Sequence, residues 1–155
     1  PDAVVQIAAY GASAAFVRAA RKAGFGGTFY NVSFVGTQAL ADELGKDGAG
    51  VVVSQVVPSP WNASVPLSRE FQRLARAQGI EEFTFSQMEG FLSAKFLVEA
   101  LERAGPKPTR ASLVQALEGM RVNLGGYPVE LSPTQHSSGK FVDLLMLGKD
   151  GKFAR

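Results

Sequence analysis

The sequence contains no cysteine. Disulfides and thiolate metal sites are therefore excluded, while the redox compartment stays open, because a cysteine-free chain suits either kind. Histidine is nearly as scarce. The only one is His136, so the usual zinc sites, which need several His and Cys, cannot form. No apolar run approaches the ~20 residues that span a bilayer. A signal segment is also lacking, and the chain opens directly on a strand-like stretch at Pro1 rather than on Met. That start reads as the boundary of a longer chain, so localisation cannot be taken from it. The net charge is only +2, and the basic residues are scattered; no nucleic-acid-binding face is expected. One further gap is local: no Asp or Glu occurs between Asp2 and Asp42.

What is present suits one α/β domain. With 155 residues, 46% of them hydrophobic, the chain is long enough to bury a sizeable core. Ala3 to Ala9 is apolar except for Gln6 and reads as a strand buried on both faces. Helical spacing follows over Ala12, Ala15, Phe16, Ala19, Ala20 and Ala23, with Arg21 and Lys22 in the last turn and Gly24 behind them. A strand is expected over Thr28–Val32, a short helix over Thr37–Leu44 and a buried strand over Gly50–Val57. This βαβαβ order calls for a parallel sheet with right-handed crossovers. Beyond the loop Pro58–Asn62, a helix starts at Pro66 and stops at Gly79. Ser86 and Glu89 have the spacing of a capping box ahead of Phe91, Leu92, Phe96, Leu97, Ala100 and Leu101. Thr109 caps a further helix with Leu113, Val114 and Leu117 on its inner face. The tail is β-like, over Tyr127–Leu131 and Phe141–Leu147, and a turn at Lys149–Lys152 leads to a last short strand.

The stretch Ile7–Phe16, "IAAYGASAAF", joins a strand to a helix through Gly11 and small residues. Its "GASAA" nearly matches the G-x-S-x-G nucleophile elbow. A hydrolase built on Ser13 would need His136 beside it and Glu118 or Glu130 behind. A capping or ligand-facing Ser13 is the plainer reading. Gly24, Gly26 and Gly27 follow a helix rather than a strand, so they do not make a dinucleotide fingerprint. Trp61 suits either a cleft lip or a cover for the core.

The ordered set of motifs resembles the second half of a type I periplasmic solute-binding protein. The branched-chain amino-acid (Leu/Ile/Val-binding) receptors of ABC importers are the most similar group. The resemblance rests on the opening strand–loop–helix, "ARKAGFGGTFYNVSF", "GVVVSQVVPSPW", "EGFLSAKFLVEALERAG", "TRASLVQALEGM" and "FVDLLMLGKDGKF". It implies residues 1–79 as the C-terminal lobe, 83–120 as helices returning to the N-terminal lobe, and 121–155 as the final crossing and terminal strands of the C-terminal lobe. It also implies periplasmic capture of a small solute (amino acid-like, an aromatic acid or a small carboxylate) for the importer's membrane subunits, with no catalysis, cofactor or metal. A ligand-sensing domain of a receptor or regulator is the alternative of the same fold. Helices deprived of the rest of such a fold would expose apolar surface, which favours self-association of the fragment.

Open α/β sheets bind ligands at the carboxyl ends of their strands. Three loops qualify, Ala9–Ser13, Asn31–Phe34 and Gln55–Pro60. They make Ala9, Tyr10, Gly11, Ser13, Ser33, Phe34 and Gln55 the candidate ligand-binding residues. In the resembling receptors the second loop carries an acid that pairs with the ligand's ammonium group, and Ser33 occupies that place here. A Ser cannot neutralise an ammonium ion, and an unpaired buried ammonium is costly. The expected ligand is therefore a small carboxylate or an aromatic acid, unless Tyr10, Tyr30 or Phe34 offers a ring face to a cation.

Overall fold

A computed structural model describes residues 1–154. They fall into two compact units. The first holds Pro1–Val56, Thr84–Ser86 and the chain from Val142 onward, and the second holds Val57–Phe83 and Gln87–Phe141.

The first unit is built on a five-stranded sheet. Strands β1 (Ala3–Gln6), β2 (Thr28–Asn31) and β3 (Val52–Gln55) are parallel and lie side by side in chain order. Helix α1 (Tyr10–Lys22) links the first two, and α2 (Thr37–Leu44) links the second to the third. Crossovers that advance in one direction with right-handed sense place both helices on one face. Val4, Phe29, Val51 and Val53 of that face meet Ala14 and Val17 of α1 and Leu40 and Leu44 of α2 in one apolar core. The alanine-rich stripe expected to face the core does not: Ala12, Ala15, Phe16 and Ala19 are exposed, and Ser13, Ala14 and Val17 are buried instead. The helix has alanines on both sides, so apolar spacing alone cannot say which side is inward. Gly24, at φ +88°, follows the last residues of α1 as expected for a helix stop.

Strands β6 (Asp143–Leu147) and β7 (Phe153–Ala154) complete this sheet, antiparallel to β3 and to each other. The opposite face of the sheet is exposed over most of its strands, though Val52 of β3 is buried there. Val5 is paired with Tyr30, and beyond them Leu144 and Met146 sit on the same side, all exposed.

The second unit holds α3 (Pro66–Ala77), α4 (Phe85–Ala104) from Gln87 onward, α5 (Arg110–Glu118) and a two-stranded hairpin of β4 (Arg121–Asn123) and β5 (Pro128–Glu130). Pro66 opens α3, where its missing N–H costs nothing. The N–H of Leu67 donates to the Gly125 carbonyl at 2.9 Å. Gly125 has φ +68°, and a Cβ there would lie 2.8 Å from the Leu67 nitrogen, so glycine is required at this approach. The Phe71 ring packs against Phe83 and Phe91, with centroids 5.4 and 5.6 Å apart.

Thr109 caps α5 as expected, its Oγ1 accepting from the Ser112 N–H at 3.1 Å while Ser112 Oγ accepts from the Thr109 N–H at 2.9 Å. Three expectations are corrected. Helix α4 begins at Phe85, so Ser86 lies within its first turn instead of capping it. Helix α5 buries none of its residues, and Val114 is 49% exposed. The short strand in the tail, β5, also pairs with β4 and not with the main sheet; β4, a three-residue strand over "RVN", has no apolar period to announce it.

Candidate functional site

The three parallel strands of the first unit end on carboxamides. Gln6 closes β1, Asn31 closes β2 and Gln55 closes β3. Gln6 is directly opposite Asn31, and Asn31 is opposite Val53, two residues before Gln55. Side chains alternate along a strand, so all three amides belong to the face that α1 and α2 cover. All three are buried. Gln6 Nε2 donates to the Ser13 carbonyl at 3.4 Å, which ties the end of β1 to the first turns of α1. Gln55 Nε2 donates to Thr37 Oγ1 at 2.8 Å, which ties the end of β3 to the start of α2. Gln6 Oε1, Gln55 Oε1 and the side-chain nitrogen and oxygen of Asn31 have no hydrogen-bond partner among the described residues. Leaving such groups unpaired costs about 1–3 kcal/mol each, so this row is a place where the fold holds polarity that packing alone does not explain.

Above the row lie the candidate loops. Ala9 is the residue before α1, extended at φ −68°, ψ 159°, and its carbonyl accepts from the Ser13 N–H at 3.0 Å. No side chain caps this end, and its first turn has no acidic residue. The leading N–H groups of a helix have no intrahelical partner and carry the positive end of the dipole. Tyr10 is 47% exposed there. Gly11 is the second helical residue, with ordinary φ, and a Cβ on it would touch nothing within 4 Å. The turn therefore does not need glycine at this position, and the space beside the backbone is open. Ser33 and Phe34 form a 3₁₀ turn (Ser33–Val35) just past β2, with Ser33 half-buried and Phe34 63% exposed.

Ser13 does not sit with these groups. Its side chain is fully buried, and its hydroxyl donates to the Ala8 carbonyl at 3.4 Å. It neither caps α1 nor presents a free oxygen, which disfavours the nucleophile reading. Tyr30 points to the sheet's open face, beside Val5, and is not at a strand end. Of the candidates, Ala9, Tyr10, Gly11, Ser33 and Phe34 thus sit at the strand ends above the carboxamide row, and Gln55 is part of it. Sequence reasoning missed Gln6, Asn31 and Thr37. Gln6 and Asn31 carried a usable signal, a lone carboxamide closing an otherwise uncharged strand.

The second unit has a different character. His136 Nε2 lies 3.1 Å from Glu118 Oε1, and the His136 side chain is largely exposed. Burial holds the Glu89 carboxyl above the usual carboxylate range. Burial, and then the Glu89 charge, raise the Tyr127 phenol. A carboxyl whose folded pKa is raised favours the folded state at acid pH. Its contribution is complete below the ordinary value of 4.5 and is lost as pH rises through the folded value. Glu89→Gln is therefore expected to raise the melting temperature near pH 7 and to lose that advantage below pH 4.5, in thermal melts across the range. Among the described residues, no group of three or more His, Cys, Asp or Glu is placed to hold a metal ion. No helix among them is long and apolar enough to cross a membrane.

Comparison with known proteins gives consistent results. The sequence pattern of the family described as "Periplasmic binding protein" matches residues 1–151. A solved structure from Rhodopirellula baltica SH 1, titled a possible leucine/isoleucine/valine-binding protein, is 31% identical, with a TM-score of 0.90 over 100% of this chain and 43% of its own. A substrate-binding periplasmic protein from Ralstonia solanacearum is 29% identical, with a TM-score of 0.85 over 98% of this chain and 44% of its own. A branched-chain amino acid ABC transporter structure from Thermus thermophilus, with bound valine, shares the fold at 20% identity and a TM-score of 0.79, over 99% of this chain and 44% of its own. The chain thus spans less than half the length of each of these three structures. No curated protein matches the sequence.

Proposed function

The chain belongs to the periplasmic binding protein family, and from that premise we propose that it forms one wall of a cleft that captures a small solute reversibly for an ABC importer. The observation that carries this reading is the set of strand-end loops above the carboxamide row. There, uncapped N–H groups of α1, open space at Gly11 and the exposed rings of Tyr10 and Phe34 all belong to a segment free of acidic side chains. Helix N-termini favour anions, and the rings suit a flat apolar body. The ligand is a small carboxylate or an aromatic acid. Its carboxylate meets the start of α1 and its body lies against Tyr10 and Phe34. In this reading the first unit serves the C-terminal lobe, and the second packs with the remainder of a two-lobed receptor that works outside the cytoplasm. Closure of the two lobes on the ligand stabilises the bound form, and no bond is made or broken.

A thermal-shift screen of the complete gene product against amino acids, aromatic acids and small carboxylates tests the reading. A true ligand at about one hundred times its Kd adds ~2.7 kcal/mol to stability. Stabilisation by benzoate-like acids without stabilisation by leucine or valine is the expected pattern, and tight calorimetric binding of leucine or valine overturns the choice of ligand. Buried Ser13 leaves the hydrolase alternative without a nucleophile; ester turnover abolished by Ser13→Ala would restore it.

The open sheet face of the first unit, with Val5 at 70% and Leu144 and Met146 near half exposure, and Leu97 and Val98 on α4 belong to surfaces that the rest of such a receptor covers. The isolated chain should therefore self-associate, with an apparent mass in light scattering that rises with concentration. A strict monomer at high concentration would count against this.

A further inference from the structure

The three strand-end carboxamides have no task in the solute contacts proposed above, although they lie at the same end of the sheet. Gln6 reaches the Ser13 carbonyl in the first turns of α1, and Gln55 reaches Thr37 Oγ1 at the first residue of α2. The row therefore joins the start of α1 to the start of α2, just past the 3₁₀ turn Ser33–Val35. Asn31 closes β2, the middle strand of the three, and is 3% exposed. Its Nδ2 and Oδ1 both lack a hydrogen-bond partner among the described residues, as do Gln6 Oε1 and Gln55 Oε1 on either side. Asn31 thus offers a donor and an acceptor, and its neighbours offer acceptors. Exchanging the nitrogen and oxygen of Asn31 leaves that inventory unchanged.

We propose that this row is the specificity element of the strand-end site, with Asn31 at its centre binding a hydroxyl of the solute. The proposal rests on the assignment of the strand-end loops to solute capture, and it narrows the ligand to a hydroxylated carboxylic acid. A hydroxyl both donates and accepts. It accepts from Asn31 Nδ2 and donates to Gln6 Oε1, on the residue directly opposite in the sheet. An ammonium group only donates. It would leave Asn31 Nδ2 unmatched and would bury a charge that no acid between Asp2 and Asp42 neutralises. A carboxylate only accepts and would meet the acceptor oxygens of the row, so the ligand's own carboxylate stays at the N–H groups that open α1. The row is shut from water. A group brought against it loses its hydration, and only a matching group recovers the loss, which makes the contact discriminating.

Calorimetry on the complete gene product tests this, with benzoate, the 2-, 3- and 4-hydroxybenzoates, and the methoxy analogue of whichever isomer binds tightest. At least one hydroxybenzoate should bind about tenfold tighter than benzoate, or better. Methylation leaves an oxygen that accepts but cannot donate, and should remove that gain. Asn31→Leu has the same branching without the polar atoms. It should bring the hydroxybenzoate to within about threefold of benzoate, while benzoate itself changes by less than about threefold. Gln6→Met removes the acceptor opposite Asn31 at matched length, and should shrink the gain in the same way where Asn31→Leu fails to fold. Three results would each overturn the proposal: benzoate binding as tightly as every hydroxybenzoate, a gain that survives methylation, or a gain that survives in the folded variant. Benzoate bound without any hydroxyl preference removes this proposal and leaves the strand-end site standing. No binding by any of these acids removes both.

Discussion

Phe29→Ala is expected to lower the unfolding free energy of the first unit by about 3–5 kcal/mol. Phe29 is 1% exposed in the middle of β2. Phe16 and Phe25 approach it edge-on, with centroids 6.3 and 5.2 Å away. The Arg21 guanidinium lies 5.8 Å from its ring. That same guanidinium donates to the Asp47 and Ala49 carbonyls, with the second bond at 2.7 Å. Removing the ring therefore empties the core and releases the group that ties the end of α1 to the turn before β3. Since whole domains are stable by only ~5–15 kcal/mol, that loss is a large share of the total. Phe29→Leu keeps most of the volume and should cost much less, about 1.5 kcal/mol or under. Urea unfolding followed by β1–β3 amide signals measures both. A loss below about 1 kcal/mol for Phe29→Ala would show that the core of this unit lies elsewhere.

The sequence made the order of elements legible where period and punctuation agreed. Pro66 and Gly79 bracket α3, Gly45 ends α2, and Thr109 caps α5. The parallel sheet followed from the βαβαβ order, because handedness leaves few alternatives. The inward side of α1 was not legible, since alanine packs or faces water with little difference in free energy. Ser86 and Glu89 had the spacing of a cap, but helix α4 already includes Phe85. The candidate site was legible to the level of loops. Ser13 looked functional from its motif and is buried against the Ala8 carbonyl. Gln6 looked like a break in an apolar strand and Asn31 like the start of a loop, and they are the buried polar ends of two strands. Their meaning depends on register across strands distant in sequence, which a single strand cannot reveal.

Ser33→Glu is expected to invert the ligand preference proposed for the strand-end loops. Ser33 begins the 3₁₀ turn just past β2, in a segment without any acid from Ala3 to Ala41. A carboxylate ligand at the start of α1 would then face a second negative charge. At about 5 Å and an effective dielectric near 20, the repulsion is roughly 3 kcal/mol, or about a hundredfold in Kd. Benzoate is the probe, measured by calorimetry with the complete gene product. Ser33→Gln has the same reach without the charge, and should change affinity by less than about threefold. An amine-bearing ligand such as leucine should gain where benzoate loses, since the new carboxylate can pair its ammonium. Equal loss in the Gln and Glu variants would mean that the turn acts by shape alone. Unchanged benzoate binding in Ser33→Glu would remove the second loop from the site.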